Sequence, residues 1–98
     1  MRKNCKRTVN AWMKGEAFGS RKESIWTDGE GIYSYATWIL CGQRRGKYER
    51  GFPFNATWYG QTTRVHQNAI RAHMEDEGIN LRMYDNVPKG TSYQSPEK

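Results

Sequence analysis

The sequence has few cysteines, a low hydrophobic content and no long apolar run. The first and the last of these shortages each exclude a class of protein. Two cysteines among 98 residues are too few for the disulfide framework of a small secreted domain. No apolar run reaches the roughly 18 residues of a membrane span, and the N-terminal residues show no signal-peptide core. We therefore expect a reduced, cytoplasmic protein that does not cross a membrane.

Compact catalytic and metal-binding motifs are also missing. The potential zinc ligands are Cys5, Cys41, His66 and His73. No CxxC or HxxxH spacing groups them, so we predict that the chain holds no metal and no other cofactor. Ser34 and Thr62 could act as nucleophiles, but no nucleophile elbow or paired-carboxylate site accompanies them. We therefore predict that the protein is not an enzyme.

What the chain does contain is aromatic residues. Four Trp, six Tyr and three Phe compensate for a hydrophobic content of 36%, because each buried ring removes about 150–250 Å² from water. A chain of 98 residues can also form one modest core. These properties indicate a single folded domain with polar ends.

Positive charge is the second abundant property, and it is unevenly distributed. The formal net charge is +6, from sixteen Lys and Arg against ten Asp and Glu. Residues 1–22 hold seven of these cations and one Glu, so they carry the whole excess (7 − 1 = +6). A second basic cluster, RRGKYER, spans 44–50. Clustered basic charge favours a polyanionic partner such as nucleic acid, and a solubilising tail is the alternative.

Hydrophobic periodicity predicts an α+β domain over 8–85, between a basic arm at 1–7 and a flexible tail at 86–98. The predicted elements are a helix over 8–18, a hairpin turn in TDGEG at 27–31, a central strand over 32–43, a strand over 52–59, a helix over 62–77 and a short strand within 79–85. We expect a small antiparallel sheet of three to four strands with both helices on one face. Pro53 should place its strand at an edge or a bulge.

The helix over 62–77 is the main candidate for recognition. A helical wheel puts Val65, Ala69 and Ala72 on a buried face and the polar side chains opposite. Arg pairs with guanine edges or phosphate, while Asn and Gln pair with adenine. The alternative is that this face is only solvated. The predicted nucleic-acid-binding residues are Arg2, Lys3, Lys6, Arg7, Arg44, Arg45, Lys47, Arg64, Gln67, Asn68 and Arg71.

The aromatic residues should mostly pack between sheet and helices. These are Trp26, Tyr33, Tyr35, Trp38, Trp58 and Tyr59. About two rings are expected to remain outside the core. On an open sheet face, such rings would stack unpaired bases, at roughly 1–3 kcal/mol per base.

Two stretches, IYSYATWIL at 32–40 and NATWYGQTTRVHQNAIR at 55–71, resemble a group of small bacteriophage-encoded proteins with no established activity. The elements that carry the resemblance are Ser34, Tyr35 and Thr37, then Asn55, Thr57 and Tyr59, then Thr62, Thr63, His66 and Gln67. The similarity covers about residues 24–71. It implies a phage origin and synthesis in the host cytoplasm.

Two functions therefore stand as hypotheses. The first is a small basic protein that binds nucleic acid through a cationic surface. The second is a protein-binding effector that inhibits a host enzyme or a host defence complex. In either case a homodimer could form if the strand over 52–59 lies at the sheet edge and pairs with a second copy.

Overall fold

The computed structural model describes residues 3–19, 24–35, 37–43 and 51–88. Their elements are α1 (Lys3–Lys14), β1 (Trp26–Thr27), β2 (Gly31–Ser34), β3 (Thr37–Cys41), β4 (Phe52–Asn55), α2 (Gln61–Asp76) and β5 (Leu81–Tyr84). The α+β class is confirmed, but the sheet has five strands rather than three to four. Neither described helix is long and apolar enough to cross a membrane.

The strands lie side by side in chain order, from β1 to β5. The first three pairings are antiparallel, whereas β4 and β5 are parallel. Parallel neighbours need a long crossover connection, and α2 supplies it. The predicted short strand within 79–85 is therefore confirmed as β5, but the sheet is mixed rather than purely antiparallel.

The predicted hairpin turn in TDGEG is present between β1 and β2. The Asp28 carboxylate accepts hydrogen bonds from the backbone N–H groups of Glu30 at 2.8 Å and Gly31 at 3.0 Å. The prediction of one central strand over 32–43 is wrong, because β2 and β3 form a second hairpin. The chain reverses at Tyr35, whose φ is 53°. No glycine, proline or Asp-Gly pair marks that turn, so the alternating pattern resembled one long strand.

Pro53 was predicted to place its strand at an edge or a bulge. Since β4 lies between β3 and β5, the edge position is wrong. The N–H groups of Phe52 in β4 and of Ala56, which follows β4, donate toward the β5 side, to the carbonyls of Asn80 and Tyr84. Since successive N–H groups alternate in direction, the missing N–H of Pro53 falls on the β3 side. In the described parts of those two strands, only Leu40 and Phe54 pair in register. The expected homodimer edge at β4 is therefore already covered by both neighbouring strands.

Helix α1 begins at Lys3 rather than at residue 8, so residues 3–7, predicted as part of a basic arm outside the domain, form its first turns. The reason is the buried stripe of Cys5, Val9 and Trp12, which is spaced at four and three residues and extends the helical pattern toward the N-terminus. The helix ends at Lys14, four residues before the predicted end.

The hydrophobic core lies between the two helices and one face of the sheet. Its members are Cys5, Val9 and Trp12 of α1, Ile70 and Met74 of α2, Ile32, Ile39, Leu40, Phe52 and Phe54 of the sheet, and Ile25 and Ile79 from connections. Trp12 meets Phe52 edge to face, with ring centroids 5.6 Å apart. A register irregularity between β2 and β3 allows the neighbours Ile39 and Leu40 both to join the core.

Candidate nucleic-acid interface

The outer face of α1 is a row of cationic side chains. Lys6, Arg7 and Lys14 are exposed, and the intervening Asn10 is exposed too. The helix contains no Asp or Glu, and Lys14 lies in its last turn, where a cation complements the helix dipole. The apolar stripe of α1 is in the core, so this cationic face points to solvent.

The acidic side chains that the structure describes do not neutralise the charge of this row. Among the described residues, no carboxylate lies within ion-pair distance of Lys6, Arg7 or Lys14. The ion pairs between described side chains are Arg71 with Glu75, at 3.3 Å, and His73 with Glu77, at 4.0 Å, both within α2. No described carboxylate therefore competes with an external anion for Lys6 and Arg7.

Lys14 differs from the other two cations because it lines a cleft of about 350 Å³ beside the β1–β2 turn. The other lining residues are Met13, Gly15, Asp28, Gly29, Glu30 and Gln43. The carboxylates of Asp28 and Glu30 lower the positive potential at this end of α1. Lys6 and Arg7, at the first turns of the helix, do not line this cleft.

The predicted outward face of α2 is wrong at Gln67. This side chain is only 1% exposed, and the buried residues of the helix are His66, Gln67, Ile70 and Met74. Val65, predicted to be buried, is 39% exposed. The helix is thus rotated relative to the predicted wheel, and Gln67 is not available to read a base.

Hydrogen bonds to the main chain explain why a polar side chain is buried here. The Gln67 side-chain amide donates to the carbonyl oxygens of Asn55, at 2.8 Å, and Thr57, at 2.9 Å. These carbonyls lie where β4 ends and its pairing stops, so they need donors. The Gln67 Oε1 atom has no hydrogen-bond partner among the described residues.

The remaining predicted residues of α2 are on the surface but do not form one cationic ridge. The Arg71 guanidinium is paired with Glu75, and Asn68 is exposed. Arg64 is half-buried and donates to the Ala56 carbonyl at 3.2 Å. Its guanidinium also lies 5.4 Å from the ring centroid of Trp58. Among the predicted cations of α2, Arg64 alone has no described carboxylate partner.

The other predicted positions are divided between α1 and undescribed segments. Lys6 and Arg7 lie together on α1, and Lys3 begins that helix. The positions that lie outside the described residues are Arg2, Arg44, Arg45 and Lys47.

Two described aromatic side chains are exposed, in agreement with the expected number. Trp58 is 62% exposed and Tyr35 is 49% exposed. The others are wholly or partly buried. Trp26 stacks on Tyr33 with centroids 4.3 Å apart, and Trp38 meets the ring of Tyr84 edge to face. Tyr35 follows β2 directly, and Trp58 lies between β4 and α2.

Sequence reasoning missed a buried polar cluster that joins β2 to α2. The Ser34 hydroxyl lies 3.3 Å from His66 Nδ1 and 3.3 Å from the Thr63 hydroxyl. Ser34 and His66 are each 2% exposed, so a substrate cannot reach the hydroxyl. The two residues belong to separate motifs 32 positions apart, and nothing in their local sequence indicates the contact.

The cysteines and histidines do not come together as ligands. Among the residues that the structure describes, no group of three His, Cys, Asp or Glu side chains could hold a metal ion. Cys5 packs in the core, and burial raises the pKa of its thiol. Burial likewise raises the pKa of the Cys41 thiol, to about 12. Both thiols are protonated at neutral pH.

Comparison of the chain with protein-family models, with curated proteins and with solved structures found no match.

Proposed function

We propose that this chain is a small, non-enzymatic, phage-type protein that binds nucleic acid through the cationic face of α1. The observation that supports the proposal is that Lys6, Arg7 and Lys14 are exposed on a helix without any carboxylate. A rigid row of cations neutralises phosphates and releases their counterions, which provides most of the affinity in non-specific binding. The overall charge of +6 supports the same class of partner.

The arrangement supports attachment to phosphates better than sequence reading. Base edges are recognised by paired donors and acceptors such as Gln, Asn and Arg. Gln67 is buried and Arg71 is paired, so the α2 face does not present that set. We therefore expect weak dependence of affinity on base sequence and strong dependence on salt.

The test is fluorescence anisotropy with labelled duplex DNA, single-stranded DNA and RNA over a range of salt concentrations. We expect binding at low salt, and a fall of about 0.9 in the log–log slope for each phosphate contact removed. The double variant K6A/R7A should lose about two such contacts. The matched control is R71A, because Arg71 is an exposed cation that already has a carboxylate partner. Absence of binding at low salt, or affinity that salt does not change, contradicts the proposal.

The exposed Trp58 favours the second candidate function, a protein-binding effector. Trp and Arg are enriched among the residues that dominate protein interfaces, and here Trp58 and Arg64 are in contact. Capture of a host protein by the immobilised chain, with and without nuclease, separates the two functions. A partner that persists after nuclease treatment and is lost in W58A would favour the effector.

A further inference from the structure

The two exposed rings flank the start of α2. The contact between the Ser34 and Thr63 hydroxyls, at 3.3 Å, places the end of β2 against the first turn of the helix. Tyr35 directly follows Ser34, and Trp58 lies in the segment between β4 and α2. One end of the sheet therefore carries both exposed rings and the Arg64 guanidinium.

Trp58 is arranged as an accessible ring with a cation fixed beside it. The hydrogen bond from Arg64 to the Ala56 carbonyl holds the guanidinium 5.4 Å from the indole centroid. The indole itself is 62% exposed, so most of its surface remains in contact with water. The cation is preorganised by the main chain and does not need to be ordered by a ligand.

Tyr35 is held outside the core by its backbone. Its φ of 53° is a conformation that residues other than Gly, Asn and Asp rarely adopt. The Trp26 indole N–H donates to the Tyr35 carbonyl, and the Tyr35 N–H donates to the Ser24 carbonyl at 3.3 Å. Unfavourable backbone geometry of this kind is concentrated at functional sites.

We propose that Trp58 and Arg64 form a stacking site for an unpaired base of single-stranded nucleic acid, with Tyr35 as a second exposed ring at the same end of the sheet. The inference rests on the proposed function and specifies its substrate class. An unpaired base offers a flat π face for the indole, and its phosphate offers a negative charge for the guanidinium. The bases of a duplex are stacked on each other and cannot use this ring, so the site favours single strands.

The experiment compares an oligo-dT of about 12 nucleotides with a duplex of the same length, using full-length protein. W58L removes the ring but keeps apolar bulk, whereas W58F keeps a ring. M83A is the matched control, because Met83 is an exposed apolar side chain on β5. Urea unfolding of each variant checks that the fold is intact.

We expect W58L to weaken oligo-dT binding by about fivefold to a hundredfold, as loss of one stacked base predicts. Its effect on the duplex should be less than about twofold, since phosphate contacts to α1 remain. W58F should retain most of the affinity, and M83A all of it. Of the four Trp, Trp12 and Trp38 are buried and Trp26 is half-buried with its ring stacked on Tyr33. Quenching of indole fluorescence by oligo-dT should therefore come mainly from Trp58 and be lost in W58F.

The failures of the two proposals differ. If neither oligo-dT nor duplex binds at low salt, nucleic-acid binding itself is wrong. If both bind, with a salt dependence that K6A/R7A reduces, but W58L leaves the oligo-dT affinity unchanged, only the stacking site is overturned. If W58L no longer captures a host protein but keeps its affinity for oligo-dT, the stacking site is likewise overturned, and the exposed ring serves a protein partner.

Discussion

The Gln67 side-chain amide lies 2.8 Å from the carbonyl oxygen of Asn55, and this hydrogen bond ties the second turn of α2 to the end of β4. The same amide reaches the Thr57 carbonyl at 2.9 Å. One buried side chain thus satisfies two main-chain acceptors at the point where the strand leaves the sheet. Gln67 is therefore a structural residue, although it lies within a stretch of helix rich in potential base-reading groups.

The variant Q67A should destabilise the fold. It leaves the Asn55 and Thr57 carbonyls without their donor, and an unsatisfied buried group costs about 1–3 kcal/mol. We expect urea unfolding to show a loss of about 2–4 kcal/mol. N68A, at the exposed neighbouring position, should change stability by less than about 0.5 kcal/mol. A stable Q67A with weakened nucleic-acid binding would instead restore Gln67 to the interface.

The extent of α2 was predictable, whereas its orientation was not. The observed helix Gln61–Asp76 differs by one residue at each end from the predicted one, because Gly78 is a strong helix-end signal. Its buried face was wrong because the partners of Gln67 are main-chain carbonyls, and a helical wheel scores only side-chain polarity. The position of Pro53 inside the sheet was not predicted either. It depends on how β3 and β5 pair with β4, and local sequence does not encode that pairing.

In the candidate site too, some features could be predicted from the local sequence, whereas others depend on contacts between distant residues. The basic character of residues 1–22 was visible in composition, and the structure adds that its first part is a helix with Lys6 and Arg7 exposed. The number of exposed rings could be anticipated, but not their identity. Trp58 and Tyr35 lie at the same end of the sheet, where Ser34 contacts Thr63 across 29 positions, and no local pattern indicates that contact.

The backbone conformation of Tyr35 should reduce the stability of the fold. Y35G and Y35A both remove the ring, but only glycine adopts a φ of 53° without strain. Since the left-handed conformation costs other residues about 1–2 kcal/mol, Y35G should be more stable than Y35A by about 0.5–1 kcal/mol. Thermal and urea unfolding of the pair measure this difference. Equal stabilities would mean that the turn relaxes to another conformation in Y35A.

Gly51 should tolerate a side chain much less well than Gly78. Both have positive φ, +96° and +69°. A Cβ at Gly51 would lie 2.9 Å from the backbone of Leu81, whereas a Cβ at Gly78 meets nothing within 4 Å. We expect G78A to cost about 1 kcal/mol, for the backbone conformation alone. G51A should cost at least about 2 kcal/mol more, since β4 and β5 must move apart.

Alkaline pH should destabilise the fold through Tyr33 and Cys41. Burial raises the pKa of each group to about 12, with a further contribution from the carboxylate of Asp28. Ordinary values are 10.0 for Tyr and 9.0 for Cys. Between the ordinary and raised values the folded state binds more protons than the unfolded state, so stability falls as pH rises.

The stabilisation is therefore complete below about pH 9 and is lost progressively as pH approaches 12. The melting temperature, measured from pH 7 to pH 11, records this loss. Y33F and C41A should each flatten the alkaline part of the profile, because the substituted group no longer ionises. A decline that is unchanged in the double variant Y33F/C41A would place the sensitivity elsewhere.

The fold consists of two blocks of secondary structure that meet between β3 and β4, where Pro53 has no N–H to donate. On one side, β1, β2 and β3 form a meander; on the other, β4, α2 and β5 form a strand–helix–strand unit. Main-chain pairing between the two blocks is sparse, and there the Asn55 side chain donates a hydrogen bond to the Trp38 carbonyl at 2.9 Å. This side-chain hydrogen bond therefore joins the two blocks beside the residue whose backbone has no N–H to donate. Since Tyr35 belongs to one block and Trp58 to the other, the spacing of the two exposed rings depends on how these blocks are joined.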